Sequence, residues 1–241
     1  MGCVLRWYLE DVEKAIRGAT LKIAPVVDGI VNDLKLPKNT DVFAVGGFVR
    51  DTVLGELVGK ETESKDIDLL LSQKPDLQNN PNVTYVKQNS FGGIKLGLKN
   101  FLEIDIFNKE VDWPDMIVGQ YFDFNFNSIF YYNKTQQILA AAPFYAFTSN
   151  KTIELINYCV VNDKIETLYT EPSLVSRALK FQILFREKYG IDAKLSTMIM
   201  HLLYGMSEKT EQEMFKYTRQ KIKDENLKKQ VIEQYYKIKQ H

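Results

Sequence analysis

The chain has 241 residues, 45% hydrophobic and 26% charged, and its 31 basic and 31 acidic side chains cancel. These are values of an ordinary globular protein with a sizeable core, and zero net charge gives no overall electrostatic pull toward nucleic acid or membrane. Two cysteines (Cys3, Cys159) and two histidines (His201, His241), each pair far apart, argue against a disulfide framework and a zinc site, and no apolar run approaches the roughly 18 residues of a membrane span.

Residues 1–36 read as two helices. Leu5, Tyr8, Leu9, Val12, Ala15 and Ile16 recur at helical spacing, as do Ile23, Val26, Val27, Ile30, Val31 and Leu34, with Gly18 to Thr20 and Pro25 marking a join or bend. The acidic Glu10, Asp11 and Glu13 do not suit a signal peptide, so a cytoplasmic location and no membrane contact are expected. A strand at Asp41–Val45 runs into Gly46-Gly47, and a short amphipathic helix follows. Strands are then expected at Lys65 to Leu71, Val83 to Val86, Ile94 to Leu98 and Phe101 to Phe107, joined by turn formers at Ser72 to Pro81, Ser90 to Gly93 and Lys99-Asn100. Such successive hairpins imply a mostly antiparallel or mixed sheet. Asp115 to Ile129 reads as a loop and a helix start, and nearly everything from Lys151 onward reads as helix. One strongly amphipathic helix opens at Glu171-Pro172-Ser173 and ends near Gly190, and further helices are expected over 193–205 and 208–239. From Met214 to the end there are eight Lys or Arg against three Asp or Glu, with Tyr217, Tyr235 and Tyr236 interleaved. That is a solvated helix face or an RNA-binding surface.

The stretch from Val45 to Leu71 carries the chemistry. Side chains alternate along a strand, so Asp66 and Asp68 point the same way. Two carboxylates held side by side repel unless a cation sits between them, and an all-oxygen site suits Mg²⁺. The Gly46-Gly47 turn lets phosphates approach backbone N–H groups, because no Cβ intervenes. The combination points to magnesium-dependent phosphoryl or nucleotidyl transfer; the bland alternative is a solvated strand face.

The motifs Gly46-Gly47-Phe48-Val49-Arg50-Asp51 and Lys65-Asp66-Ile67-Asp68 resemble the head-domain signature of class II tRNA nucleotidyltransferases. That family comprises the CCA-adding enzymes and bacterial-type poly(A) polymerases, within the polymerase-β superfamily. Asp123-Phe124-Asn125-Phe126-Asn127-Ser128 and the segment from Glu171 through Arg177 to Phe181 resemble two later family motifs, in the same order. The resemblance implies an α+β fold: helices over 1–40, a polymerase-β-like head with a small mixed sheet and flanking helices over 41–145, and a helical neck with C-terminal helices over 146–241. It implies transfer of a nucleoside monophosphate from ATP or CTP to an RNA 3′-hydroxyl, chiefly at tRNA 3′ ends, with Mg²⁺ as cofactor. On that reading Asp66 and Asp68 hold two Mg²⁺ ions. A third carboxylate comes from the Leu102–Phe107 strand, Asp105 with Glu103 as the alternative. Gly46 and Gly47 admit the triphosphate, Arg50 assists the phosphates or buttresses the site, and Asp123, Asn127 and Arg177 contact the nucleotide.

The chain departs from the family in several places. Tyr121 and Phe122 stand where the family has two arginines before Asp123. The base-selecting Glu-Asp-x-x-Arg pattern reads Thr170, Glu171 and Leu174 when aligned on Arg177. A longer spacer separates the glycines from Asp66. A poly(A)-type transferase with another acceptor is therefore a second reading, and a nucleotide- or RNA-binding module without activity a third.

Overall fold

The computed structural model describes residues 7–62, 64, 66–78, 80–89, 92–108, 121–161, 164–167 and 169–240. Lys65, Ser90-Phe91 and most of the loop expected from Asp115 lie outside these residues. The chain divides into two compact units, one of Trp7 to Tyr121 with Asn127 to Tyr145, the other of Phe122 to Phe126 with Ala146 onward.

In the first unit a single helix, α1 (Leu9–Leu34), stands where two were expected. Its buried residues Val12, Ala15, Ala19, Ile23, Val27, Ile30 and Leu34 form one unbroken stripe, so packing continues straight past Pro25. Proline costs a helix the hydrogen bond to the carbonyl four residues back. Here both Pro25 and Leu21 are exposed, so water can take that carbonyl. Gly18 does not end the helix either. It lies against α2 (Gly47–Val58), where an added Cβ would stand 2.5 Å from Glu56 Oε2, and Glu56 pairs with Lys22 at 2.6 Å.

The sheet holds β1 (Val42–Val45), β2 (Ile67–Leu71), β3 (Val83–Gln88), β4 (Ile94–Leu98), β5 (Phe101–Asn108), β6 (Ile129–Tyr132) and β7 (Gln137–Ala140). Their order is β3-β4-β5-β2-β1-β6-β7. All neighbours are antiparallel except β2 and β5, which are parallel and place the middle of the sheet in mixed register. This is the mostly antiparallel, mixed sheet that the hairpin pattern implied, and the flanking helices are those that the family resemblance implied. On β2 the apolar Ile67, Leu69 and Leu71 are buried, while Asp68 faces the other way and is half-buried. Beyond β7 comes α3 (Ala142–Asn150).

The second unit corrects the all-helical expectation after Lys151. Thr152–Ile153 (β8) pairs in parallel with Lys194–Leu195 (β11), and Tyr158–Val161 (β9) pairs antiparallel with Lys164–Thr167 (β10). These segments are too short for helices to pack, and β-branched residues in them favour extended backbone. Helices resume at α4 (Glu171–Leu184), which closes through a π-helical turn at Phe185–Tyr189 onto Gly190 with φ 68°. α5 (Thr197–Gly205), α6 (Glu208–Lys221) and α7 (Glu225–Lys239) complete the chain. The break between α6 and α7 divides what the sequence pattern reads as one helix. Asp224 makes it, accepting a hydrogen bond from the Leu227 N–H at 3.0 Å as an N-cap. Phe124, Phe126, Phe147, Phe181 and Phe185 form the aromatic core of this unit, with Phe126 and Phe181 centroids 4.6 Å apart. The expected helix start before Ile129 is only a 3-10 turn, Asn125–Asn127. Asn125 accounts for that: its side chain caps Phe126 N–H and Glu154 N–H and donates to Thr152 O, tying the segment to its neighbour strand. No helix among the described residues is long and apolar enough to cross a membrane.

Candidate active site

β1 delivers the chain to Gly46, whose φ of 73° and ψ of −142° are open to glycine and strained for any L side chain. A Cβ there would also sit 2.7 Å from Asp68 Oδ2. Gly46 is thus demanded twice, by backbone conformation and by the close approach of a carboxylate. Gly46→Ala is expected to cost about 1–3 kcal/mol, read as a fall in denaturant midpoint at unchanged slope. Gly47 has ordinary φ, and a Cβ would meet only Arg50 Nη2 at 3.6 Å and Asp51 Oδ2 at 4.0 Å. The fold does not require glycine at 47. α2 begins here with no side chain capping its first turn, and such a helix start attracts anions.

Asp66 lies just before β2 and is exposed; Asp68 lies in the strand. Parallel pairing of β2 with β5 makes Asp68 the direct partner of Asp105. Both carboxylates therefore share one face in adjacent strands. Burial, followed by the charges of Asp66 and Asp105, pushes the Asp68 carboxyl up to about 7, against the opposing pull of Lys95 and Arg50. Asp105 is buried, accepts from Asn89 Nδ2 at 3.1 Å through Oδ1, and pairs with Lys95 Nζ at 2.7 Å through Oδ2. Glu103, the alternative, is two residues earlier on the same strand. Its side chain is 48% exposed, and it accepts from Tyr85 OH at 2.8 Å and from Lys95 Nζ at 3.2 Å. Burial works against the Lys95 ammonium, but hydrogen bonds to Asp105 and Glu103 outweigh it and raise its pKa above the ordinary lysine value.

Arg50 is 7% exposed and faces inward. Its Nε donates to Asp51 Oδ1 at 2.7 Å and its Nη1 to Asn127 Oδ1 at 2.8 Å. Of its two sequence readings, buttressing is the one this geometry describes. Asn127 is buried against it.

Asp123 and Arg177 form their own cluster in the second unit. They make a close ion pair, with the guanidinium over the rings of Tyr169 (4.8 Å to the centroid) and Phe124 (5.6 Å). Asp123 is buried and its Oδ1 accepts from Phe124 N–H at 3.0 Å. Leu174, at an aligned base-selecting position, is buried in the core, whereas Thr170 and Glu171 are exposed. The sequence reading passed over Lys95, Asn89 and Tyr169. For Lys95 a signal existed: a lone cation inside an apolar strand, one hairpin away from two carboxylates.

The donors around Asp68 suit a hard divalent cation: carboxylate oxygens only, with the Asp68 carboxyl pushed up to about 7 by burial and then by the charges of Asp66 and Asp105. Yet among the described residues no three His, Cys, Asp or Glu side chains converge closely enough to enclose an ion as they stand. The fit is to Asp66 and Asp68, while Asp105 already has other partners.

No family model matches the chain, and no curated protein matches it. Solved structures do. A CCA-adding enzyme in complex with ATP superposes with a TM-score of 0.54 at 17% identity, over 95% of this chain and 54% of that one. The same kind of enzyme with CTP gives 0.54 at 18%, over 93% and 53%. The Thermotoga maritima CCA-adding enzyme complexed with tRNA gives 0.55 at 17%, over 92% and 54%. The chain spans about half the length of these structures. At such identity the likeness speaks for architecture alone: the mixed sheet, its flanking helices and the helices that follow make up the fold of the CCA-adding enzymes.

Proposed function

We propose that the protein is a Mg²⁺-dependent RNA nucleotidyltransferase, moving a nucleoside monophosphate from ATP or CTP to an RNA 3′-hydroxyl, with tRNA 3′ ends as the acceptor. The observation that carries this reading is the pairing of Asp68 with Asp105 across parallel strands, with Asp68 Oδ2 packed against Gly46 at the uncapped start of α2. Solved structures of the same fold with ATP, CTP and tRNA support it.

In the mechanism, Asp66 and Asp68 would hold the cation and the start of α2 would receive the triphosphate through its N–H groups. Mg²⁺, when bound, neutralises the triphosphate and lowers the cost of ionising the attacking hydroxyl. Arg50 fixes Asn127 behind α2, so the phosphate-facing turn keeps its shape. Asp123 and Arg177 present a paired, aromatic-flanked guanidinium as the candidate nucleotide contact.

Incubation with each labelled NTP and with tRNAs lacking their 3′ ends tests the proposal. CMP followed by AMP at tRNA ends is the expected result. AMP tracts on varied RNAs would instead identify the poly(A)-type reading; the buried Leu174 presents no group to a base edge. No incorporation of any nucleotide leaves only the binding-module reading. Gly47→Ala is a sharper probe of the phosphate-receiving turn. Its stability is expected to stay within about 1 kcal/mol of the wild type, while KM for NTP rises at least about tenfold, a loss of roughly 1.4 kcal/mol of binding. An unchanged KM would remove Gly47 from the site.

A further inference from the structure

Lys95 on β4 is the direct partner of Asp105 on β5, and Asp105 is the direct partner of Asp68 on β2. Directly paired residues share a face, so lysine, aspartate and aspartate form one row across three adjacent strands. Both β5 carboxylates converge on the ammonium, Asp105 Oδ2 at 2.7 Å and Glu103 Oε2 at 3.2 Å. Their other oxygens are engaged too. Asp105 Oδ1 accepts from Asn89 Nδ2, and Glu103 Oε1 accepts from Tyr85 OH.

Asn89 is itself fixed in place. Its Oδ1 accepts from Gly93 N–H at 2.8 Å and its backbone N–H donates to Gly93 O at 2.9 Å, which turns the amide nitrogen toward Asp105. Gly93 must be small for this: a Cβ would lie 2.6 Å from Ile106 O and 2.8 Å from Asn89 Nδ2. Asp105 therefore has a built partner at each oxygen. A divalent ion on Asp105 would have to displace an ammonium that two carboxylates hold, and would then face that ammonium's repulsion. Among the described residues neither Asp66 nor Asp68 makes a lysine ion pair of this kind, and the charge of Lys95 reaches Asp68 only across Asp105.

Resting on the transferase reading above, we infer that Lys95 stands on Asp105 in place of one of two divalent ions, so that the chain holds a single ion at Asp66 and Asp68. Lys95 is a positioning residue in this scheme. It supplies fixed positive charge beside Asp105 and Asp68, and that charge does not depend on metal concentration.

Counting bound Mn²⁺ on the full chain without nucleotide, by the loss of free-ion EPR signal and by calorimetry, tests this directly. Wild type is expected to saturate at one ion per chain. Lys95→Met keeps the volume of the side chain and removes its charge, and is expected to bind two. Lys95→Met combined with Asp105→Asn returns to one, and Lys95→Arg stays at one. Lys95→Gln serves as the second neutral variant should Lys95→Met fail to fold by circular dichroism. Two ions in wild type, or one ion in every folded neutral variant, overturns the inference. The labelled-nucleotide assay run in parallel reads the other proposal: incorporation with two ions in wild type retires only the lysine exchange. A change from one ion to two without incorporation retires only the transferase.

Discussion

Asp68→Asn is expected to lower nucleotide incorporation by a factor of about 10³ or more while raising the stability of the metal-free protein at neutral pH. The first effect follows from the loss of a charged oxygen ligand, worth several kcal/mol of charge stabilisation when each tenfold in rate is about 1.4 kcal/mol. The second follows from the position of the carboxyl. Burial and the charges of Asp66 and Asp105 displace its pKa from 3.8 to about 7, so the folded protein binds a proton that the unfolded chain has already released. The stability this group contributes is full below about pH 4 and is lost as pH rises through about 7. That displacement sets a ceiling of about 4 kcal/mol. Asp68 is only half-buried, and water screens its charge, so about 2 kcal/mol is the expected difference.

Urea unfolding of wild type and Asp68→Asn in EDTA, at intervals from pH 4 to pH 8, isolates the term as the difference between the two curves. Wild type should lose ground to the variant across that window and run parallel to it above. Adding Mg²⁺ should restore wild type and leave Asp68→Asn unmoved, because a cation bound to the carboxylate favours its ionised form. Parallel curves throughout would mean that Asp68 sits in water and that no charge is stored at the site.

The glycine and aspartate stretch stood out in the sequence because its determinants are local. Glycines, a strand and an Asp-x-Asp spacing lie within one short run, and period-two alternation predicts a shared face for Asp66 and Asp68, although β2 itself begins only at Ile67. Glu103 and Asp105 obey the same alternation, so the sequence leaves two candidates for the neighbour of Asp68. Only the register of β2 against β5 separates them, and that register is a long-range pairing set by packing. Lys95 stands out as a lone cation in an apolar strand, but its place beside Asp105 and Asp68 depends on two strand pairings at once. The error at the N-terminus had another origin. Pro25 and Gly18 are legitimate breaker signals, overridden by a buried stripe that runs through both. The strands after Lys151 are short and carry little periodic signal, so the helical bias of the surrounding sequence dominated the reading.

Arg50→Met is expected to be strongly destabilising while leaving every carboxylate of the site in place. The guanidinium is nearly enclosed, and it holds Asp51 on its own helix and Asn127 at the entry to β6. Methionine fills the stem's volume and returns none of the donors, so the Asp51 carboxylate and the buried Asn127 amide oxygen both lose their bond to the guanidinium. Removing one partner of a buried charged pair costs about 3–5 kcal/mol. Asp51 retains 16% exposure, so about 3 kcal/mol is expected here. For a chain of this size that is a fall in Tm of about 6–12 °C. Lysine cannot span both acceptors, so Arg50→Lys should recover only part of the loss. A cycle of Arg50→Met, Asn127→Leu and the double variant should show a coupling of about 1–3 kcal/mol, because both substitutions act on the same buried hydrogen bond. If the two losses simply add, Arg50 and Asn127 are independent, and the reading of Arg50 as the buttress behind the phosphate-receiving turn fails with them.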